Sequence, residues 1–448
     1  MVTPTPSNVR FYTFGCKANQ YDTERMRQEV EARGLTTTAE RFEADIVVVN
    51  TCTVTNQADA EARRFIRRMR RERPDRTVVV AGCSAALREA DYREMDGVAE
   101  VIPGHDPGQV AFAVLGATLR STPALAQIEL RAPLDRMHTE PIGGELLQHR
   151  RGAARGWLKV QDGCDRKCSF CATRLARGAS RSRSSAEVVA EARLLAGAHA
   201  ELVITGIHIG HYGLDLETES SLSLLCAELL EAVPDVRFRL GSVEATEVDD
   251  LLIELLETSG GRLAPHLHMP LQSGADPVLR AMRRWHTRGQ YRSRAIEIAE
   301  RVAPLGLGAD VITGFPGETV EDHAATRALV EELPFTYLHV FPFSPRGDTV
   351  AAELPDPVPQ RISGERAREL RELALEKGRV HRQSRVGSSA TVVLEGEGGA
   401  GLTEDYLRVE VASDDWGGAR PAVVTGTVLC DGDHLYIEAP RQSTRITA

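Results

Sequence analysis

Nowhere in the chain does an apolar run approach the roughly 20 residues that a helix needs to cross a bilayer. The opening MVTPTPSNVR also lacks the hydrophobic region of a secretory leader, so no membrane attachment is expected and a cytoplasmic, reducing location is. Cysteine is scarce, eight in 448 residues, and in a reducing location a disulfide framework is the weaker explanation for it. Positive charge is short as well: 54 Lys and Arg stand against 64 Asp and Glu, a formal net charge of −10. That balance argues against indiscriminate nucleic-acid binding through the field of the whole protein and leaves any RNA contact to local basic patches. What is present, 42% hydrophobic and 26% charged residues, describes an ordinary soluble globular protein. A chain of this length is too large for one core, and two or three domains are expected.

Chemistry is most concentrated between Gly163 and Gly178, GCDRKCSFCATRLARG. Cys164, Cys168 and Cys171 stand there in a C-x3-C-x2-C arrangement, directly after the half-apolar run WLKVQD. A structural zinc site would show four protein ligands, and no fourth Cys or His lies nearby in sequence. Three thiolates on a short loop can hold three irons of a 4Fe-4S cube and leave the fourth open to a small molecule.

From the N-terminus, three apolar β-rich runs each end in a cysteine: VRFYTFGC at Cys16, ADIVVVNTC at Cys52 and RTVVVAGC at Cys83. Stretches of helical composition lie between them, YDTERMRQEVEARG and ADAEARRFIRRMRRE. Strand and helix in alternation predict an open parallel sheet, and near-continuous Val and Ile fit strands buried on both faces. Loops at the carboxyl ends of such strands gather in one crevice, so the three cysteines are expected to converge. A lone cysteine after a buried strand is ordinarily a small core residue; three at the same topological point read as ligands of a second 4Fe-4S cluster. Cys226 and Cys430, by contrast, read as core and strand residues.

Residues 60 to 76, AEARRFIRRMRRERPDR, carry eight arginines. On a helix, Phe65, Ile66 and Met69 form an apolar stripe and the arginines cover the rest. Such a run is usually a solvated face; beside a cluster in an acidic chain it is also a candidate phosphate-contacting face, through Arg67, Arg68, Arg70 and Arg71. Arg177 and Arg183, close to the second cysteine loop, are candidates for the same role.

An N-terminal domain is thus placed at 8–116, followed by mixed polar text at 117–150 that reads as a linker. Over 151–380 strand and helix signals alternate until six strands are complete, which predicts a partial α/β barrel, (β/α)6, rather than the closed eight-stranded one. Ligands of barrels sit at the strand C-termini, where Cys164, the TGIHIG turn, Glu244, Gln272 and the GFPGE turn fall. From 386 to 448 short β runs separated by Gly- and Asp-rich turns predict a small antiparallel barrel. That segment holds ten acidic and four basic side chains.

Together these stretches resemble the radical S-adenosylmethionine (SAM) methylthiotransferases. TFGCKANQYDTE, NTCTVTNQAD and AGC are similar to that family's N-terminal domain, with the wording around Lys17–Gln20 and Thr53–Asn56 closest to its tRNA threonylcarbamoyladenosine branch. Phe170, before the third barrel cysteine, matches the family's usual aromatic. DVITGFPGE and HMPLQSGAD match its segments too, and Arg177, Gly178, Ser182 and Arg183 its R-G-x-x-x-S-R spacing. Departures are Ala172, Thr173 and Arg174 where relatives tend to have an aliphatic pair and proline, and His208 where they often have Asn. The C-terminal segment looks like the TRAM module of tRNA-modifying enzymes, although its acidic excess is unlike an RNA binder.

The resemblance implies two 4Fe-4S clusters, one on Cys164, Cys168 and Cys171 and a sulfur-carrying one on Cys16, Cys52 and Cys83. It implies S-adenosyl-L-methionine against Phe170, Gly206, Glu244, Gln272, Ser273, Gly314, Pro316 and Gly317. It also implies tRNA as substrate, a low-potential electron donor such as flavodoxin or ferredoxin, and a sulfur source. Methylthiolation of threonylcarbamoyladenosine beside the anticodon is the implied activity. Isopentenyladenosine or a ribosomal-protein aspartate as the target, and a non-enzymatic iron-sulfur electron carrier or RNA-binding sensor, are the alternatives.

Overall fold

The structure, a computed structural model, describes residues 8–40, 42–120, 146–150, 152–396, 399–412, 422–432 and 434–438. Most of the linker expected at 117–150 and the last ten residues of the expected C-terminal module lie outside these. In the N-terminal domain the elements run β1 (Asn8–Thr13), α1 (Lys17–Ala32), β2 (Thr36–Thr37), β3 (Ile46–Thr51), α2 (Asn56–Glu72) and β4 (Thr77–Gly82). They continue with α3 (Cys83–Leu87), α4 (Glu89–Arg93), β5 (Val98–Val101) and α5 (Pro107–Arg120). The five strands form one parallel sheet in the order β2-β1-β3-β4-β5. Alternation decides which face each residue serves. Val9, Phe11, Val48 and Val79 pack with Met26, Val30, Val110 and Val114 on one side. Val47, Val49, Val78 and Val80 pack with Phe65, Ile66 and Met69 of α2 on the other.

The next unit begins with β6 (Arg155–Lys159), β7 (Gln161–Asp162), α6 (Thr173–Arg177), β8 (Arg181–Ser182), α7 (Ser185–Ala196) and β9 (Glu201–Thr205). It goes on through α8 (Leu222–Ala232), β10 (Arg237–Leu240), α9 (Asp250–Thr258), β11 (His266–His268), α10 (Asp276–Ala281) and α11 (Arg288–Arg301). Last come β12 (Gly306–Thr313), α12 (Val320–Glu332), β13 (Tyr337–Pro342) and α13 (Gln360–Arg385). Six parallel strands form two ladders, β10-β9-β6 and β11-β12-β13, joined by a parallel bridge between Ser242 and His268. Among the described residues β6 and β13 do not pair, so this is the expected partial barrel, and α1 packs beside β6 at the open side.

The C-terminal module closes as β14 (Ser389–Leu394), β15 (Ala400–Leu402), β16 (Arg408–Ala412), β18 (His434–Glu438) and β17 (Val423–Asp431). It departs from a purely antiparallel barrel in one place: β16 and β18 run parallel. Five strands in a closed ring cannot all alternate in direction, so at least one neighbouring pair must be parallel.

This module is docked on the amino ends of the barrel strands through buried charge. Glu201 accepts from Arg237 Nε at 2.7 Å and from Arg239 Nε and Nη2 at 2.9 Å. The Nη1 and Nη2 nitrogens of Arg237 donate to the carbonyls of Thr391 and Leu402, and those of Arg239 to the carbonyls of Glu404 and Thr403. Arg155 meets Glu395 at 2.5 Å, while Arg385 meets Glu404 at 2.8 Å and Asp405 at 3.0 Å. Three of the module's ten acidic residues are therefore taken up by docking, which gives part of its acidic excess a structural reason.

Burial by itself would raise the Glu201 carboxyl, but Arg239 and then Arg237 outweigh it and hold it at about 2. A carboxylate depressed in this way contributes stability that is complete above its ordinary range and is lost as pH falls toward 2. Glu201→Gln leaves two buried guanidiniums without their anion, at a cost on the order of 3–5 kcal/mol. The expected outcome is a lower unfolding midpoint at pH 7 and faster proteolysis of the C-terminal module. Wild-type melting and digestion in this variant would contradict the docking account.

Candidate functional site

The barrel cysteines lie on a loop that only a particular backbone permits. Gly163 has φ +71°, and a Cβ there would come within 1.8 Å of the Ala179 carbonyl oxygen. The loop is closed by a hydrogen bond from Cys164 N to Gly178 O at 3.1 Å. Two side-chain relays end on its sulfurs. His208 places Nδ1 3.4 Å from Cys164 Sγ and Nε2 2.9 Å from both oxygens of Glu247. Arg284, ion-paired with Glu244, donates to Cys168 Sγ at 3.7 Å. Trp285 is flanked by Arg166 and Arg284, each about 4 Å from its ring centroid, 4.1 and 4.2 Å. His211 stacks on His208 at 3.9 Å. Burial pushes the Cys164 thiol up to about 11, and raises Cys168 against the opposing charge of Arg284.

The expected cofactor residues fall around this loop in different roles. Phe170 is half-buried and packs against Ala275, Val278, Met282 and Phe315. A Cβ on Gly206 would meet the Gln161 carbonyl at 2.7 Å, and Gln161 Oε1 accepts from the amides of Ile207 and His208. Gln272 has φ +65° and exchanges backbone hydrogen bonds with Asp310 and Ile312. Ser273, expected to contact a ligand, is buried and its hydroxyl is shared with Thr326 at 3.2 Å, which gives it a structural role in fixing the turn. In the GFPGE turn, Glu318 accepts from the amides of Gly314 and Phe315 and pairs with Arg366 at 2.6 Å. Pro316 is buried and Gly317 exposed.

The N-terminal cysteines converge as their strand ends require. Cys16 follows β1, Cys52 follows β3 and Cys83 opens α3 after β4. Gly15, at φ +98°, makes room: a Cβ there would lie 2.6 Å from Cys52 Sγ. Cys83 Sγ receives Arg177 Nε at 3.3 Å and lies 3.5 Å from His105 Nε2. The same guanidinium donates to Asp162 and Asp22 at 2.8 Å each and to Asn19 at 2.5 Å. Lys159 donates to Asp22 at 2.6 Å and Asp162 at 2.8 Å. Two cations and two carboxylates thus form a buried neutral set. Both carboxyls lie below their ordinary range although burial opposes it, Asp22 chiefly through Lys159 and Asp162 chiefly through Arg177. Burial, with Arg177, lowers His105 to about 3, so its ring is neutral.

Arg177 and Arg183 do not face RNA. Both are buried; Arg183 is bound to Glu191 at 3.1 Å and to the Lys159 carbonyl at 2.9 Å. A guanidinium buried among carboxylates is out of reach of a phosphate. Arg70 is likewise held, by Asp96 at 3.2 Å and the carbonyls of Pro74 and Arg76. Arg67, Arg68 and Arg71 remain exposed on α2.

In neither triad do all three sulfurs lie within 4.8 Å of one another among the described residues. A tetrahedral zinc with Zn–S of about 2.3 Å would hold its thiolates within about 4 Å of each other. That spacing does not suit a single ion, and cationic donors are set against Cys83 and Cys168. His208, Glu247, Arg284 and Trp285 had no signal of their own in the sequence beyond the His208 departure; they become recognisable once the barrel brings strand ends together.

Residues 8–104 match an uncharacterized protein family, UPF0004, and residues 158–330 match the radical SAM superfamily. The threonylcarbamoyladenosine tRNA methylthiotransferase MtaB of Bacillus subtilis is 36% identical over 378 residues, 81% of this chain and 79% of the relative. MtaB of Rickettsia prowazekii is 34% identical, over 89% of this chain and 90% of the relative. The tRNA-2-methylthio-N(6)-dimethylallyladenosine synthase of Sorangium cellulosum is 34% identical, over 87% and 83%. Among solved structures, the radical S-adenosylmethionine methyltransferase TsrM of Kitasatospora setae, with cobalamin and a 4Fe-4S cluster bound, is similar in fold at TM-score 0.55 and 18% identity, over 78% of this chain and 77% of that one.

Metal-free protein offers a direct check on the geometry of the N-terminal triad. Burial raises Cys52 to about 11 and Cys83 to about 12, while Cys16 is exposed. Because the thiolate is the reactive form, alkylation at pH 8 should label Cys16 first and Cys83 last, with the two buried rates rising about tenfold per pH unit. Peptide mass spectrometry that found Cys83 labelled as fast as Cys16 would contradict the arrangement.

Proposed function

The chain belongs to the radical SAM methylthiotransferase family, and from that premise we propose that it converts N6-threonylcarbamoyladenosine beside the tRNA anticodon to its 2-methylthio derivative. The observation that carries this reading is the pairing of two cysteine triads through Arg177, which starts from the barrel cysteine loop and ends on Cys83. The Cys-Lys-Ala-Asn-Gln and Thr-Cys-Thr-Val-Thr wording supports the threonylcarbamoyl substrate. The Sorangium relative supports a second reading, with dimethylallyladenosine as the target.

Cys164, Cys168 and Cys171 would hold one 4Fe-4S cluster, and Cys16, Cys52 and Cys83 the other. Bound there, the barrel cluster would supply one electron for reductive cleavage of S-adenosyl-L-methionine, and the N-terminal cluster would supply the sulfur for the methylthio group. The chain's own share is placement and exclusion of water. Arg284 and Arg177 each donate to a cysteine sulfur and stabilise negative charge there. Glu247 orients the His208 ring toward Cys164. Phe170, Phe315 and Met282 form a dry wall behind the loop. The Gly206, Glu244, Gln272 and Gly314–Gly317 positions at the strand ends frame the space for S-adenosyl-L-methionine. Arg67, Arg68 and Arg71 offer the tRNA backbone a basic face on α2.

No helix of the described residues is long and apolar enough to cross a membrane. A cytoplasmic site, a flavodoxin- or ferredoxin-like electron donor and a separate sulfur source complete the proposal.

Anaerobically reconstituted protein should hold about eight irons, and Cys16→Ala, Cys52→Ala, Cys83→Ala together about four. That variant should still release 5′-deoxyadenosine under reductant yet form no methylthio product. Normal product from it, or a wild-type content of four irons or fewer, would overturn the two-cluster reading.

A further inference from the structure

The inner face of the barrel is unusual in being polar. Pairing in register puts His266 opposite Gly306, His268 opposite Gly308, Gly308 opposite Tyr337 and Asp310 opposite His339. The alternate residues, Leu267, Leu307, Ala309 and Val340, pack outward into the main core. Tyr337 Oη bonds His266 Nε2 at 2.8 Å and His268 Nδ1 at 3.1 Å, and Asp310 holds His268 at 3.1 Å and His339 at 3.3 Å. A barrel interior with no ligand to hold is filled by branched apolar side chains; this one is lined for a polar occupant.

Its base is stopped by the C-terminal module. Tyr406, held at φ +73°, stacks on His266 at 4.3 Å between ring centroids and faces Tyr337 at 5.6 Å, with Arg239 over its ring at 5.3 Å. Charge around this floor is unbalanced. Arg237 and Arg239 share Glu201, Arg155 has Glu395, and Lys159 has Asp22 and Asp162. Lys17, the residue after Cys16, reaches in from α1 to 6.0 Å from the Tyr406 ring centroid. Among the described residues its ammonium makes no hydrogen bond or ion pair, and Glu201, whose charge reaches it, is already shared by Arg237 and Arg239.

We propose that the lumen floor formed by Lys17, Tyr337 and Tyr406 receives the N6 substituent of the target adenosine, and that Lys17 selects a substituent bearing a carboxylate over an apolar one. This rests on the tRNA reading above. With C2 presented to the cysteines at the strand C-termini, the N6 substituent is the part of the base free to extend into the lumen. Threonylcarbamoyl ends in a carboxylate, whereas dimethylallyl carries no charge. An unpaired ammonium in a largely enclosed site favours the first and is left uncompensated by the second, the arrangement by which buried polar groups reject a ligand that lacks their partner.

The test uses anticodon stem-loop RNAs that carry threonylcarbamoyladenosine, its carboxylate methyl ester, or dimethylallyladenosine. Binding is read by fluorescence anisotropy on reconstituted wild-type, Lys17→Met and Lys17→Arg proteins, with iron content measured alongside. Lys17→Met should weaken binding of the threonylcarbamoyl RNA at least about 10-fold, and Lys17→Arg should restore most of it. Wild-type protein should bind the methyl ester as weakly as Lys17→Met binds the free acid, an arm that does not depend on any variant folding. Equal binding of acid and ester by wild type, or an equal loss for both RNAs in Lys17→Met, would overturn the inference while leaving the parent reading intact. Loss of iron from Lys17→Met would overturn it too, by making Lys17 a support for Cys16. Failure of wild type to modify the threonylcarbamoyl RNA at all would remove the parent reading, and this inference with it.

Discussion

One guanidinium holds the two halves of the chemistry together. Arg177 comes six residues after Cys171, at the end of α6, and its guanidinium donates to Asp22, Asp162, Asn19 and the sulfur of Cys83. A buried arginine without carboxylates would be costly, and so would two buried carboxylates without cations. The network is stable because Lys159 completes the balance and because each carboxylate oxygen has a donor. Its consequence is geometric: the rigid planar fork fixes the N-terminal domain against the barrel beside Cys83.

The same device is used at the other end of the barrel, where Glu201 gathers Arg237 and Arg239 and these in turn hold the carbonyls of the C-terminal module. The barrel lumen therefore lies between two ionic seals, with cysteines at its mouth and Tyr406 at its base. That gives the small C-terminal barrel a share in shaping the site, beyond any contact it makes with RNA. Arg346 ties a further edge, reaching from beyond β13 to Thr53 and Asp59 at 2.5 Å and to Asn56 at 2.8 Å, next to Cys52.

The convergence of Cys16, Cys52 and Cys83 was legible because strand direction and strand ends follow from local pattern, and parallel strands put equivalent ends together. The six-stranded barrel was legible for the same reason. The role of Arg177 was not: R-G-x-x-x-S-R reads alike whether the arginine meets a phosphate or Asp22, which lies 155 positions earlier in the chain. Arg183 and Ser273 were misread on the same ground, since burial is a property of packing between distant segments. The His208–Glu247 and Arg284–Glu244 pairs were invisible because neither spacing nor residue type marks them. The acidic C-terminal module was puzzling in sequence and is less so in structure, where Glu395, Glu404 and Asp405 face barrel and helix arginines.

The central claim, that an Arg177-centred network couples two cysteine triads for methylthiolation of threonylcarbamoyladenosine, is tested most directly by nucleoside mass spectrometry. The tRNA would come from a strain lacking this gene, complemented with wild type or with Arg177→Met. The account predicts that 2-methylthio-N6-threonylcarbamoyladenosine is lost in the deletion while its unmethylthiolated precursor accumulates, that wild type restores it, and that Arg177→Met does not. Unchanged levels of the 2-methylthio nucleoside in the deletion, or full restoration by Arg177→Met at normal protein abundance, would contradict it.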